Sequence, residues 1–159
     1  MTIVRIAGAA TLLIVLAACQ TTPPPPPADS KTAAERSYDA MWGFECASLA
    51  GHMNDPGRQK KLYENAHQAA LWFAASARGD GSSQSAPALV QATLEESSDP
   101  DTFADRLNKT MKAFSDSEVD GAARVAAGAN ASAAEIDAAM ASAARDLYYR
   151  RVCRRFEHS

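Results

Sequence analysis

Arg150, Arg151, Arg154 and Arg155 concentrate more of one chemistry in one place than any other stretch of the chain. Planar guanidinium groups bind phosphate and carboxylate through paired N–H donors, so this strip is the candidate contact for anionic headgroups, lipopolysaccharide phosphate or an acidic partner. A plainer role competes with it, because cations near a helix C-terminus complement the helix dipole and keep an apolar-backed helix soluble. Catalysis has less to build on. There is no nucleophile elbow, no His-Glu-x-x-His helix, no glycine loop to cradle phosphate and no Cys-His nucleophile, so no catalytic residue is assigned. Glu35 and Glu45 are carboxylates of the kind a small glycan hydrolase uses, since its acid and base need no local signature. His52, His67 and His158 are scattered and show none of the close spacings of metal ligands; neither a metal nor a cofactor is expected. His52 and His67 are expected at exposed positions, without a carboxylate spaced to activate either one. Trp42, Phe44, Trp72 and Tyr148 suit a hydrophobic core better than a ligand groove. A client-binding chaperone would need Leu71, Trp72 and Phe73 to line an open cleft.

The charge balance excludes one class of partner. The chain carries 16 basic and 19 acidic side chains, a formal net charge of −3. Nucleic-acid binding would call for a basic face and a high isoelectric point, so no nucleic-acid partner is expected.

The first residues read as a targeting segment. Arg5 supplies a positive start, and Ile6 to Val15 follows as an apolar run far short of the roughly 20 residues that span a bilayer. The run ends on Leu16-Ala17-Ala18-Cys19, which resembles the lipobox of bacterial lipoproteins. That resemblance is confined to the targeting segment and does not extend to the folded part. It implies cleavage before Cys19, a diacylglyceryl group on the Cys19 sulfur and usually acylation of the new amine. Residues 1–18 would then be a signal peptide, and its removal with Arg5 leaves 15 basic against 19 acidic groups, or −4. An ordinary signal cleaved nearby, with Cys19 incidental, is the competing reading. Each buried methylene contributes about 0.8 kcal/mol, so two or three acyl chains hold a protein on a membrane without a spanning helix. Gln20 in place of Asp after the lipidated residue implies, by the family's enteric sorting rule, the outer membrane; the inner membrane is the alternative. Residues 19–30 form a tether in which Pro23 to Pro27 favour an extended polyproline II rod of about 3.1 Å per residue.

Assigning Cys19 to the lipid leaves Cys46 and Cys153 in an oxidising compartment, where a disulfide between them is expected. Two buried free thiols are the alternative. The sequons at Asn108 and Asn130 are coincidental in a bacterial chain.

These side chains must be positioned by helices. Residues 31–159 are the size of one domain, rich in alanine and without long β-branched alternation, which predicts an all-α fold of about five helices. Thr32 and Glu35 are spaced as a capping box opening a first helix to about Met53, with Tyr38, Met41, Trp42, Cys46, Leu49 and Met53 as its apolar stripe. Asp55-Pro56 starts a second helix ending near Arg78, whose Ala66, Ala69 and Ala70 permit close approach of a neighbour. Gly79 to Ser83 reads as a flexible loop and residues 87–96 as a short helix. Asp99-Pro100 opens another, with Phe103, Leu107, Met111 and Phe114 on its apolar side. A separate weak helix is expected near residues 119–127, interrupted at Gly121 and Gly128. Ser132 and Glu135 cap the last helix, which is expected to reach Phe156. Its buried side changes near Tyr148, through either a kink or a new partner, which the Cys46 pairing would make the first helix.

The expectation for function is a non-catalytic envelope lipoprotein, held to the membrane by its N-terminal lipid and presenting a surface to an envelope protein or cell-wall polymer. The alternative is a cell-wall-acting enzyme or a hydrolase inhibitor.

Overall fold

Helices appear where a capping residue and apolar spacing coincide. The computed structural model describes residues 31–80 and 82–158; the expected signal segment 1–18, the expected lipidation site Cys19 and the expected tether 19–30 lie outside the described residues. The described chain is all-α. Its helices are α1 Ala33–His52, α2 Pro56–Asp80, α3 Ala88–Glu95, α4 Pro100–Ala127 and α5 Ala133–Arg150, with 3-10 segments at Ser82–Ser85 and Cys153–His158.

The predicted caps are in place. The Glu35 amide donates to Thr32 Oγ1 at 3.2 Å and the Thr32 amide to Glu35 Oε2 at 2.7 Å, and Ser132 with Glu135 repeats the arrangement at α5. Asp55 accepts from the Arg58 amide at 3.0 Å, and Asp99 from the Thr102 amide at 2.8 Å. Hydrogen bonds from the Ser98 hydroxyl and from the Thr102 amide and hydroxyl hold the Asp99 carboxyl down at about 2.

α1 is the central element, packing against α2, α4, α5 and both 3-10 segments. The one-sided stripe expected of it is therefore corrected. Every residue from Gly43 to Ala50 is buried, polar ones included, whereas Tyr38 is 46% exposed. A helix surrounded by partners buries all its faces. The close approach expected of α2 occurs at Gly43, where a Cβ would fall 2.8 Å from Ala66 Cβ. Any side chain there would push the two helices apart.

Three boundaries differ from the sequence reading. α2 continues to Asp80 through the expected loop, and Ser82 to Ser85 is a 3-10 turn. The two helices expected between residues 100 and 127 are a single one. Beside Ala104, its buried residues Phe103, Leu107, Met111, Ser115, Val119 and Ala123 repeat at steps of four, so Ser115 takes the inward place expected for Phe114, which is 48% exposed. Gly121 has open space beside it and Gly128, at φ +97°, caps the end, so only the second glycine interrupts the helix. A step of four overshoots a turn of 3.6 residues by about 40°, which winds the stripe around α4. The first half of α4 thus joins a core with Phe44, Phe73 and Val90, and Val119 joins a second core with Leu49, Leu62 and Tyr148.

The last helix stops at Arg150, short of Phe156. The Arg151 amide bonds to the Leu147 carbonyl, the Val152 amide to the Tyr149 carbonyl, and Val152 takes φ +55°. That left-handed residue redirects the chain, and the 3-10 period of three then brings both Cys153 and Phe156 inward. The change of buried side is neither a kink nor a continuing helix but a helix end followed by a turn against α1 and α2.

Cys46 and Cys153 form a disulfide, both wholly buried, across a sequence separation of 107. A cross-link closing so long a loop lowers unfolded-chain entropy most, and removal of such bonds costs about 2–5 kcal/mol. Replacing both cysteines by serine should lower the stability measured by urea unfolding by that amount; an unchanged midpoint would show that packing alone closes the domain.

Candidate functional site

The chemistry-bearing side chains gather in three places: a buried clamp, a polar cleft and an exposed C-terminal face. The clamp is set by consecutive residues of α1. Glu45 precedes the disulfide-bonded Cys46 and is completely buried. Its Oε1 lies 3.0 Å from Arg151 Nε, an ion pair between α1 and the C-terminal turn. Arg151 Nη2 donates to both Glu118 oxygens at 2.9 and 3.0 Å, and its guanidinium lies 5.3 Å from the Trp42 ring centre. Burial pushes the Glu45 pKa up, outweighing the attraction of Arg151, while the Glu118 charge adds to the rise. The hydrogen bonds to Glu118 push the Arg151 pKa up, keeping that group cationic.

This geometry divides the arginine strip. Arg151 turns inward and joins α1 to α4 and the C-terminal turn; Arg150, Arg154 and Arg155 remain exposed. The division arises because Val152 reverses the backbone, which a uniform helix would not do. Around it stand exposed Tyr149 and Val152, with the Arg154 guanidinium 5.1 Å from the Tyr149 ring centre.

The cleft lies between the second half of α1, the start of α2 and the middle of α4. It has a volume of about 590 Å³ and is lined by Ser48, His52, Gln59, Lys60, Tyr63 and Lys112 among others. Asp116 stands at its edge, with Oδ1 2.8 Å from His52 Nε2 and Oδ2 accepting from Lys112 Nζ at 2.6 Å. The partner that His52 lacked in sequence is thus supplied from 64 residues away. Burial would raise the Asp116 pKa, but hydrogen bonds from Lys112 and His52 outweigh it and lower the value. Ser48, His52 and Asp116 do not form a nucleophile chain. Ser48 Oγ donates at 3.5 Å to the same Asp116 Oδ1 that His52 contacts, so the imidazole does not stand between hydroxyl and carboxylate. The cleft places amines, hydroxyls, amides and an imidazole beside the apolar surface of Ala47, Pro56 and Tyr63.

Other candidates have structural duties. Glu35 closes a capping box at the start of α1. It is ten residues from Glu45 on the same helix, or about 15 Å along the axis, beyond the roughly 9.5 Å that the paired carboxylates of glycosidases span. Phe44, Trp72 and Tyr148 are buried, and Trp42 packs against both cores. Trp72 lies beneath the Arg36 guanidinium at 4.2 Å and Phe73 is wholly buried, so no open cleft of Leu71, Trp72 and Phe73 exists for unfolded clients. His67 stacks on Tyr63, and His158 is exposed. Among the described residues no three His, Cys, Asp or Glu side chains come together to hold a metal ion, and no helix is long and apolar enough to cross a membrane.

The clamp makes a signed prediction. Arg151→Ala leaves a buried carboxylate unpaired and should destabilise the fold by about 3–5 kcal/mol, with partial recovery when Glu45→Gln is added. Since the Glu45 pKa is raised above 4.5, the folded chain binds this proton more readily than the unfolded chain does. Its contribution to stability therefore falls as pH rises from that value towards the raised one, and Glu45→Gln should flatten this slope in urea unfolding across the acid range. A steeper slope in the variant would refute the assignment.

The chain matches no family model, no curated protein and no solved structure, so its function is read from its own residues.

Proposed function

We propose that this chain is an envelope lipoprotein, anchored through acylated Cys19 and carrying a non-catalytic helical binding domain on the periplasmic face of the outer membrane. The anchor is supported by the apolar run ending on Leu16-Ala17-Ala18-Cys19 and by the proline spacer after it. The observation that carries export is the Cys46–Cys153 disulfide, because such bonds persist in oxidising compartments and are rare where glutathione keeps thiols reduced. Binding rather than turnover is supported by the way acid, base and nucleophile candidates are used: Ser48 and His52 converge on one oxygen of Asp116, Glu45 is held by Arg151, and Glu35 caps a helix. An envelope protein or a cell-wall polymer is the partner class that fits a domain held at a membrane on a stiff tether. Intact-mass measurement of the protein from its own host should show a chain beginning at Cys19 with the added mass of a diacylglyceryl group. An unacylated soluble product would overturn the anchor.

A second reading, a cell-wall-acting enzyme, draws on one observation: the His52–Asp116 pair at the edge of the 590 Å³ cleft. The acylated protein incubated with purified peptidoglycan should release no soluble fragments. Release that is lost in His52→Gln would make this second reading the correct one.

A further inference from the structure

We propose that the cleft between α1, α2 and α4 holds the sugar rings of a cell-wall glycan, bound without turnover. The inference rests on the envelope reading above, and of its two partner classes it selects the polymer. Its first support is the composition of the wall. Ala47, Pro56 and Tyr63 give the cleft apolar surface, and Gln59, Asn108 and Tyr63 bring amide and hydroxyl groups to it. Ligand sites combine an apolar lining with a few placed polar groups in volumes of about 300–1,000 Å³, and this cleft has about 590 Å³. A pyranose ring has the matching anatomy: an apolar C–H face and a rim of hydroxyls that both donate and accept.

Charge is the second support, because it is already answered. Asp116 accepts from Lys112 Nζ at 2.6 Å and lies 2.8 Å from His52 Nε2, while Lys60 Nζ stands 3.8 Å from Glu64. Each amine is matched by a carboxylate, so the cleft lacks the excess of cations that would select a phosphate or a carboxylate. The side chains of Gln59, Tyr63 and Asn108, by contrast, take part in no hydrogen bond among the described residues. Neutral amides and a hydroxyl with their donors and acceptors unspent recognise a neutral ligand that carries both.

The third support is that these groups are held in place. A Cβ on Gly51 would fall 2.7 Å from Gln59 Nε2, so the amide rests against the bare backbone of α1, where both residues line the cleft. Tyr63 packs against both cores, its ring centre 5.6 Å from those of Phe44 and His67. A wall that is already ordered loses little entropy when a ligand arrives. Pro56, Gln59, Lys60 and Lys112 of the lining are exposed, which leaves the cleft open to a polymer running across it.

The test uses the full chain purified in detergent, with binding to purified peptidoglycan sacculi followed by sedimentation. Binding should persist at high salt and be competed by a soluble, uncharged oligomer of N-acetylglucosamine. The Gln59→Ala, Asn108→Ala variant gives up hydrogen bonds to the sugar and should bind about tenfold more weakly. Gly51→Ala, which displaces the Gln59 amide, should weaken binding as well, and circular dichroism checks that each variant is folded. Gln68→Ala, outside the cleft, should bind as the parent chain does. Equal binding by the double variant overturns the proposal, as does an equal loss in Gln68→Ala or binding that high salt abolishes. Competition by free stem peptide and not by the sugar assigns the cleft to a peptide, and also overturns it. Sedimentation reads the cleft whether or not Cys19 is acylated and intact mass reads the anchor, so failure of this inference and failure of the lipoprotein reading give different results.

Discussion

The structure depends on a double fastening of the C-terminal turn to α1. Cys46 holds Cys153 covalently, and its neighbour Glu45 meets Arg151 as a buried ion pair. The two links differ in sign. A charge in the interior is costly, and the approach of one guanidinium offsets that cost only in part, so burial leaves the Glu45 pKa raised. The covalent link favours closure by restricting the unfolded chain. The disulfide and the ion pair thus fasten one turn to neighbouring residues of α1.

From that fastening the rest of the arrangement follows. Arg151 reaches Glu118 as well as Glu45, so the second half of α4 is drawn to the same point at which α5 ends. The winding stripe of α4 serves both cores, with Val119 in the core of Tyr148 and Phe103 beside Phe73. Trp42 and Tyr63 pack against both cores and make them continuous. α1, surrounded on all sides, then carries the inner wall of the polar cleft through Ser48 and His52.

Much of this was legible from local pattern. Capping boxes at Thr32 and Ser132, the Asp-Pro starts at Asp55 and Asp99 and the small residues of α2 are short-range signals, and each appears where the spacing put it. The cysteine pairing followed from assigning Cys19 elsewhere. What escaped the sequence is long-range. Asp116 reaches His52 across 64 residues and Arg151 reaches Glu118 across 33, and no local spacing encodes either contact. Ser115 was missed for another reason: a hydroxyl in an apolar stripe breaks a reading based on hydrophobicity, although the step of four continues through it. The end of α5 was hidden because Val152 is a poor left-handed residue, and a glycine there would have announced the turn.

Several titratable groups of this fold are committed to one another. In the interior, Glu45 answers Arg151 and Tyr148 answers Glu157; at the cleft, one carboxylate answers both His52 and Lys112. Groups so occupied stiffen a framework. The framework holds two surfaces in place, the cleft between α1, α2 and α4 and the exposed face of the C-terminal turn. Arg151 links the two roles. Drawn inside, it anchors the turn on which Arg150, Arg154 and Arg155 are displayed, so a strip that is uniform in composition is divided by the backbone into one structural cation and the exposed ones beside it.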